Sequence, residues 1–168
     1  MANRRGFTFV ELVMVFLAVG VLSVVSMAAI GNVMRGIQLS NATDKLASDL
    51  RYAQSSASGT GVWYGVSFEA DPVNRYRLYT TDGTTDAVVE DPAKLGNNFM
   101  VDLNTTFNVL VSSVSIGGGA KVEFSPLGTP YNDKNGSAIS NEGVVTLIRG
   151  SSTRTVRVTP NTGRVYIQ

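Results

Sequence analysis

The chain has 168 residues, a formal charge of +1, and neither cysteine nor histidine. Those two absences exclude disulfides, thiolate nucleophiles, imidazole bases and metal sites built on Cys or His. The near-zero charge also gives no overall field that would attract a polyanion. Catalysis by carboxylates or lysines remains possible, but the most common catalytic side chains are missing, so we expect no enzyme, no cofactor and no metal.

The N-terminus begins with a basic head, Arg4 and Arg5, which precedes Gly6 and a long apolar segment. No charged residue lies between Leu12 and Ile30. As a helix this stretch would rise about 28 Å, close to the hydrocarbon thickness of a bilayer. The pattern predicts a single membrane span with the basic N-terminus in the cytoplasm. A secretory signal peptide would instead place its small-residue cleavage site after a shorter apolar core.

Glu11 is the one carboxylate near the start of this apolar segment, and an ionisable group there indicates function because its burial is costly. The sequence from Gly6 through Phe7 to Glu11 resembles the leader junction of type IV pilins and pseudopilins. The resemblance implies that a prepilin peptidase cuts between Gly6 and Phe7 and methylates the new amine of Phe7. It also implies that Glu11 pairs with that amine, its own or a neighbouring subunit's, during assembly on an inner-membrane platform.

Four segments follow from this interpretation: a leader at 1–6, a membrane and assembly helix at 7–31, its amphipathic continuation at 32–60, and a periplasmic β domain at 61–168. In the continuation, apolar residues recur at helical spacing and predict a face that packs on the β domain. They are Ala42, Leu46, Leu50, Ala53 and Ala57. We expect Asp44, Lys45, Asp49 and Arg51 to point toward solvent, and Gly59 to end the helix.

Beyond Gly61 the apolar period changes to two, which is typical of strands. Strands are predicted at 62–68, 75–80, 99–103, 107–111, 114–116 and 121–124, followed by a meander of three at 144–149, 154–159 and 164–167. The stretches 82–98 and 125–143 are predicted as loops, and Gly117 to Gly119 as a turn. One long helix followed only by strands predicts an α+β fold, with antiparallel sheet packed on the helix.

A second resemblance, to the GspH/FimT family of minor pilins and pseudopilins, spans residues 46–165. Its landmarks are Leu46, Asp49-Leu50-Arg51, Ala53-Gln54, the strand pair through Phe68 and Tyr76, Phe124-Ser125-Pro126-Leu127-Gly128, Val156-Arg157-Val158 and Gly163-Arg164-Val165. The resemblance implies a structural subunit of a type IV pilus or a type II secretion pseudopilus, whose partners are other pilin or pseudopilin subunits.

Two further clusters leave alternatives open. Arg149, Arg154, Arg157 and Arg164 make the C-terminal strands basic, and some FimT-like proteins are thought to capture DNA with a basic C-terminal motif. A DNA-binding minor pilin acting in natural transformation is therefore the alternative function, although a solvated strand face is the simpler interpretation of Arg149, Arg154 and Arg164. Likewise, Asp82, Asp86, Glu90 and Asp91 suit either a calcium site or, as we expect, a solvated acidic loop.

Overall fold

The computed structural model describes the backbone of residues 8–168 and the side chains of all of them except residues 25–30 and 32. The predicted cleavage site between Gly6 and Phe7 lies outside the described residues. The chain divides into two compact units, Met1–Arg35 and Gly36–Gln168.

The long helix, α1, spans Phe9–Thr60. It ends at Thr60, the last residue of the predicted segment 32–60, because Gly59 stays helical and Gly61 takes the left-handed conformation, with φ of +72°. The Gly61 N–H donates to the carbonyl of Ala57 at 3.1 Å, the bond that commonly closes a helix at such a glycine. The prediction that Gly59 caps the helix was therefore wrong, and the second glycine of Gly59-Thr60-Gly61 has that role.

In the first unit, every described side chain from Thr8 to Val24 is exposed, although most are apolar. Across the part of the chain that the structure describes, no helix has a stretch long and apolar enough to qualify as a membrane span.

The second unit adds two sheets and one short helix to the C-terminal part of α1. The strands are β1 (Trp63–Glu69), β2 (Arg75–Thr81), β3 (Asp86–Val88), β4 (Met100–Asp102), β5 (Leu110–Ser115), β6 (Lys121–Phe124), β7 (Pro130–Tyr131), β8 (Gly143–Arg149), β9 (Ser152–Val158) and β10 (Val165–Ile167), and α2 is Leu103–Phe107. The first sheet has the order β3-β2-β1-β6-β7, with β4 also paired to β2. The second has the order β10-β9-β8-β5, and all pairs are antiparallel. The predicted α+β class and the C-terminal meander are confirmed.

The predictions between residues 99 and 116 were partly wrong. Phe107 belongs to α2 rather than to a strand, because the Asp102 side chain caps that helix by accepting from the Thr105 N–H at 2.8 Å. The two strands predicted at 107–111 and 114–116 are the single strand β5, which has an irregularity between Val111 and Ser113. The predicted loops at 82–98 and 125–143 also contain the short strands β3 and β7.

The predicted apolar face of α1 is confirmed. Ala42, Leu46, Leu50, Ala53 and Ala57 are all fully buried in one core with residues of both sheets. The prediction that Asp49 points to solvent was wrong, because its residue exposure is only 5 %. Asp49 lies beside Leu50 on the edge of the buried face, where a polar partner from β2 meets it.

Candidate functional site

The candidate assembly site at the start of α1 is a capping box formed by Thr8 and Glu11. The Glu11 carboxylate accepts from the Thr8 N–H at 3.3 Å and from its hydroxyl at 3.4 Å. In return, the Thr8 hydroxyl accepts from the Glu11 N–H at 3.3 Å. This reciprocal pair satisfies two backbone donors that the first turn of a helix otherwise leaves unpaired.

The sequence carried the signal for this arrangement, since Thr8-Phe9-Val10-Glu11 has the threonine and glutamate three residues apart. The resemblance to the pilin leader junction concerned only the relation of Glu11 to Phe7. The structure gives the carboxylate a local role as well, so any pairing of Glu11 with an amine competes with, or adds to, the cap of its own helix.

The C-terminal arginines do not share one role. Arg149 lies at the end of β8, where its guanidinium donates to the carbonyls of Phe107, at 3.2 Å, and Asn108. It thereby binds the carbonyl end of α2. Arg154 donates to the Ser40 hydroxyl of α1 at 3.4 Å, and Arg157 forms an ion pair with Glu142 at 2.8 Å.

The backbone register keeps Arg154 and Arg164 apart. Arg164 accepts from the N–H of Thr159, which directly follows β9 and lies five residues beyond Arg154. Five residues of strand span about 17 Å, so these two arginines flank different ends of the meander. Neither turn of the meander therefore brings Arg149, Arg154 and Arg164 together at one edge.

The landmarks near residues 54, 128 and 163 meet at one junction. The side-chain amide of Gln54 on α1 donates to the carbonyls of Gly128, at 3.0 Å, and Thr162, at 2.8 Å. Gly163 has φ of +64°, and a Cβ placed there would stand 2.5 Å from both the Gln54 amide nitrogen and the Gly128 oxygen. Gln54 thus connects the helix, the loop after β6 and the C-terminal turn, and a larger residue than glycine would not fit at 163.

A second contact between α1 and the C-terminus comes from Arg51, whose guanidinium donates to the carbonyl of Val165 at 3.0 Å. An open groove of about 610 Å³ runs beside this contact, bounded by Arg51, Gln54, Thr162, Arg164 and strand β10. We call it the β10 groove. Arg51 and Arg164 are both exposed.

Two solved structures share this architecture. The type IV minor pilin FimU of Pseudomonas aeruginosa superposes with a TM-score of 0.51 at 13 % identity, covering 77 % of this chain and 87 % of FimU. The minor pseudopilin EpsH from the type 2 secretion system of Vibrio cholerae gives a TM-score of 0.57 at 10 % identity, covering 78 % of this chain and 96 % of EpsH. The chain has the minor-pilin fold. No protein-family model and no curated protein matches the sequence.

Within this minor-pilin fold, Asp49 fastens α1 to the first sheet. Its carboxylate accepts from the Tyr76 hydroxyl at 2.6 Å and from the Lys45 ammonium at 2.5 and 2.7 Å. Burial raises the pKa of Asp49 above its usual 3.8, although the hydrogen bonds from Lys45 and Tyr76 act in the opposite direction. Burial also raises the pKa of Tyr76 well above 10, so the tyrosine remains a donor.

A second buried carboxylate, Glu123, lies on the other face of the first sheet and was not anticipated. It accepts from the Tyr79 hydroxyl at 2.7 Å, from Lys121 at 2.8 Å and from the Lys134 N–H at 2.5 Å. Lys121 also bonds Asp133 at 2.7 Å. Each Glu123 oxygen therefore has a donor, so the group fixes the 131–135 segment on the sheet.

The carboxylates of the predicted acidic loop organise their own turns. Asp82 accepts from the N–H groups of Thr84 and Thr85, each at 2.7 Å, and these bonds lower its pKa. Asp91 accepts from the Ala93 N–H at 2.8 Å, and Glu90 from the Gly96 N–H. Within residues 8–168, no three acidic side chains cluster as a metal site would require.

Proposed function

We propose that this chain is a minor pilin or minor pseudopilin, a structural subunit of a type IV pilus or of a type II secretion pseudopilus. The observation that carries the proposal is the combination of a minor-pilin fold with Gly6, Phe7 and Glu11 at the head of an apolar helix. Neither feature depends on the other, since the fold match comes from backbone geometry and the leader junction from the first residues.

The proposed precursor is inserted in the inner membrane with its N-terminus in the cytoplasm and residues from about 36 onward in the periplasm. The uncharged sequence from Leu12 to Ile30 supplies the anchor, and Arg4 with Arg5 sets its orientation. A prepilin peptidase then cleaves between Gly6 and Phe7 and methylates the Phe7 amine, and the inner-membrane platform adds the subunit to the filament.

Exposed apolar side chains in the first unit support assembly through this helix. Phe9 is 81 % exposed, and Phe16 and Leu17 are 68 % and 66 % exposed. An apolar surface this continuous needs lipid or other helices around it. In the filament, the same segments of neighbouring subunits supply that environment once the subunit leaves the membrane.

We propose two functions for Glu11 that can be separated by mutation. One is the capping box with Thr8. The other is an ion pair with the Phe7 amine of its own or a neighbouring subunit, since a carboxylate among apolar helices needs a cationic partner. Glutamine serves at this helix position as well as glutamate but carries no charge.

The test uses full-length chains produced in a strain that assembles the filament, with sheared filaments and membranes assayed for the subunit. Glu11→Gln retains the capping box, Thr8→Ala removes the cap but retains the charge, and Glu11→Ala removes both. We expect the Thr8→Ala protein to be present in filaments at near wild-type levels. We expect the Glu11→Gln and Glu11→Ala proteins to be cleaved and stable in membranes but absent from filaments.

Recovery of Glu11→Gln in filaments at wild-type levels would show that the charge is dispensable. If only Glu11→Ala and Thr8→Ala were lost, the capping box alone would explain the requirement. Absence of the wild-type chain from sheared filaments would contradict the proposed function itself.

A further inference from the structure

Strand β10 is an edge strand with unused backbone groups. It is last in the order β10-β9-β8-β5, so it pairs on one side only. Gln168 exchanges both backbone hydrogen bonds with Thr155, and Arg164 accepts from the Thr159 N–H, so even-numbered residues turn their backbone toward β9. Val165 and Ile167 therefore turn theirs outward, as the contact between the Val165 carbonyl and Arg51 shows.

These outward groups face the β10 groove. Among the described residues, no donor or acceptor meets the N–H groups of Val165 and Ile167. Proteins usually protect such an edge, because unpaired N–H and C=O groups are a template for another strand. Within residues 8–168 the contact on these outward groups is that of Arg51 with the Val165 carbonyl, and the groove beside the strand is open.

The groove is also positively charged. Arg51 and Arg164 border it, and the described residues that line it include no carboxylate. The guanidinium of Arg164 has no ion-pair or hydrogen-bond partner in the described part of the chain, whereas Arg75 and Arg157 have carboxylates at 2.8 Å. Two arginines without acids beside a free strand edge select for an extended segment that carries negative charge.

We propose that the β10 groove binds an extended, carboxylate-bearing segment of a neighbouring subunit, which adds to the second sheet as a strand beside β10. The proposal rests on the proposed function for the presence of neighbouring subunits. Backbone hydrogen bonds from the N–H groups of Val165 and Ile167 supply affinity, and carboxylates that reach Arg164 and Arg51 supply the selection among partners.

The test measures peptide binding to the full chain in detergent micelles by fluorescence anisotropy, so it does not depend on filament assembly. The probe is a labelled acidic peptide with strand-favouring alternation, acetyl-VEVTVEVT-amide. One matched peptide replaces each glutamate by glutamine, and another carries N-methyl groups on alternate amides, which blocks strand pairing but retains the charges. The variant is Arg164→Gln, and the control is Lys94→Gln, an equal charge change at an exposed residue outside the groove.

We expect saturable binding of the acidic peptide that Arg164→Gln weakens about two- to fivefold, the range for one exposed charge pair, and that Lys94→Gln leaves unchanged. The N-methylated peptide should bind about tenfold more weakly or not at all. Equal binding of the glutamine peptide or of the N-methylated peptide would overturn the proposal, as would an Arg164→Gln variant that binds like wild type. Displacement of the peptide by sub-micromolar single-stranded DNA would overturn it in favour of a nucleic-acid groove.

Discussion

The ring of Tyr79 lies over Gly65, its cross-strand partner on β1. A Cβ at Gly65 would stand 2.3 Å from the Cζ atom of that ring. Glu123 pairs with Gly65 from the opposite side, so the tyrosine crosses the whole width of β1 to donate its hydroxyl to the glutamate. The missing side chain at position 65 is therefore what allows a hydrogen bond between β2 and β6, which do not neighbour each other.

Gly65→Ala should destabilise the fold by about 1–3 kcal/mol, because the ring is fixed at its hydroxyl and cannot move aside without losing Glu123. The measurement is urea unfolding followed by the fluorescence of Trp63, the one tryptophan. Gly59→Ala is the matched control. That glycine is helical, and no atom lies within 4 Å of the position its Cβ would take, so alanine should stabilise by about 0.5–1 kcal/mol. A Gly65→Ala protein as stable as wild type would mean that the ring has room to shift.

The placement of Tyr79 shows where strand periodicity stops being informative. Alternation along β2 assigns Tyr76 and Leu78 to the core and Tyr79 to solvent, and the first two are indeed buried. Tyr79 is only 1 % exposed because the 131–135 segment covers the outer face through Asp133 and Lys134. That segment has the local pattern of a polar loop, so its position on the sheet depends on long-range pairing that no local pattern encodes.

Gly163→Ala tests the junction at Gln54. The substitution adds a Cβ 2.5 Å from both the Gln54 amide and the Gly128 carbonyl, and it forces an alanine to φ of +64°. The backbone conformation alone costs about 1–2 kcal/mol, and the overlap adds about 1–3 kcal/mol. Gly150→Ala isolates the first contribution, since Gly150 has φ of +60° and open space around its Cβ position. Equal free energies of unfolding for the two variants would show that the junction tolerates a methyl group.

The raised pKa of Asp49 predicts the direction in which the free energy of unfolding changes with pH. Because burial raises its pKa in the folded chain, the folded state takes up the proton more readily than the unfolded state. The free energy of unfolding of wild type relative to Asp49→Asn should therefore rise as the pH falls through the raised pKa toward 3.8, and then level off. Urea titrations at several pH values provide the measurement.

Asp82→Asn is the control, because the pKa of Asp82 is lowered and its pH dependence of stability should have the opposite sign. Hydrogen bonds from Thr85 and Thr84 lower the pKa of Asp82, so its stabilising contribution is present above pH 3.8 and is lost as the pH falls through the lowered value. Wild type should lose stability relative to Asp82→Asn in that range. If both comparisons moved in the same direction, the pKa shift assigned to Asp49 would be wrong.

Helix α1 and strand β10 show which features of this chain can be predicted from the sequence and which cannot. The spacing of Leu46, Leu50 and Ala53 identified the buried face correctly because helical geometry repeats without reference to the rest of the fold. The burial of Asp49 could not be predicted from this spacing, because it depends on the Tyr76 hydroxyl from β2. The position of β10 at the edge of its sheet could not be predicted either, because it follows from the strand order rather than from the composition of residues 165–167.

DNA binding by this chain should be weak and salt-sensitive. Arg149 is engaged by the carbonyls of Phe107 and Asn108, and Arg157 by Glu142. Arg154, with a long hydrogen bond of 3.4 Å to Ser40, and Arg164 remain for phosphates. Two contacts give a slope of log affinity against log salt of roughly −1.8 on duplex DNA, rather than the roughly −2.7 of three. Fluorescence anisotropy over a salt series measures it. Sub-micromolar affinity at physiological salt that disappears in Arg164→Ala would overturn a purely structural role in favour of a DNA receptor.

Maturation of a prepilin at Gly6–Phe7 is the central claim about this chain. Intact-mass analysis of the full-length protein, extracted from membranes of cells that contain a prepilin peptidase, tests it most directly. We predict the loss of residues 1–6 and one added methyl group on Phe7, and no change in mass in cells that lack the peptidase. A mature N-terminus after the apolar segment, between Ser26 and Gly31, would show an ordinary signal peptide and contradict the claim.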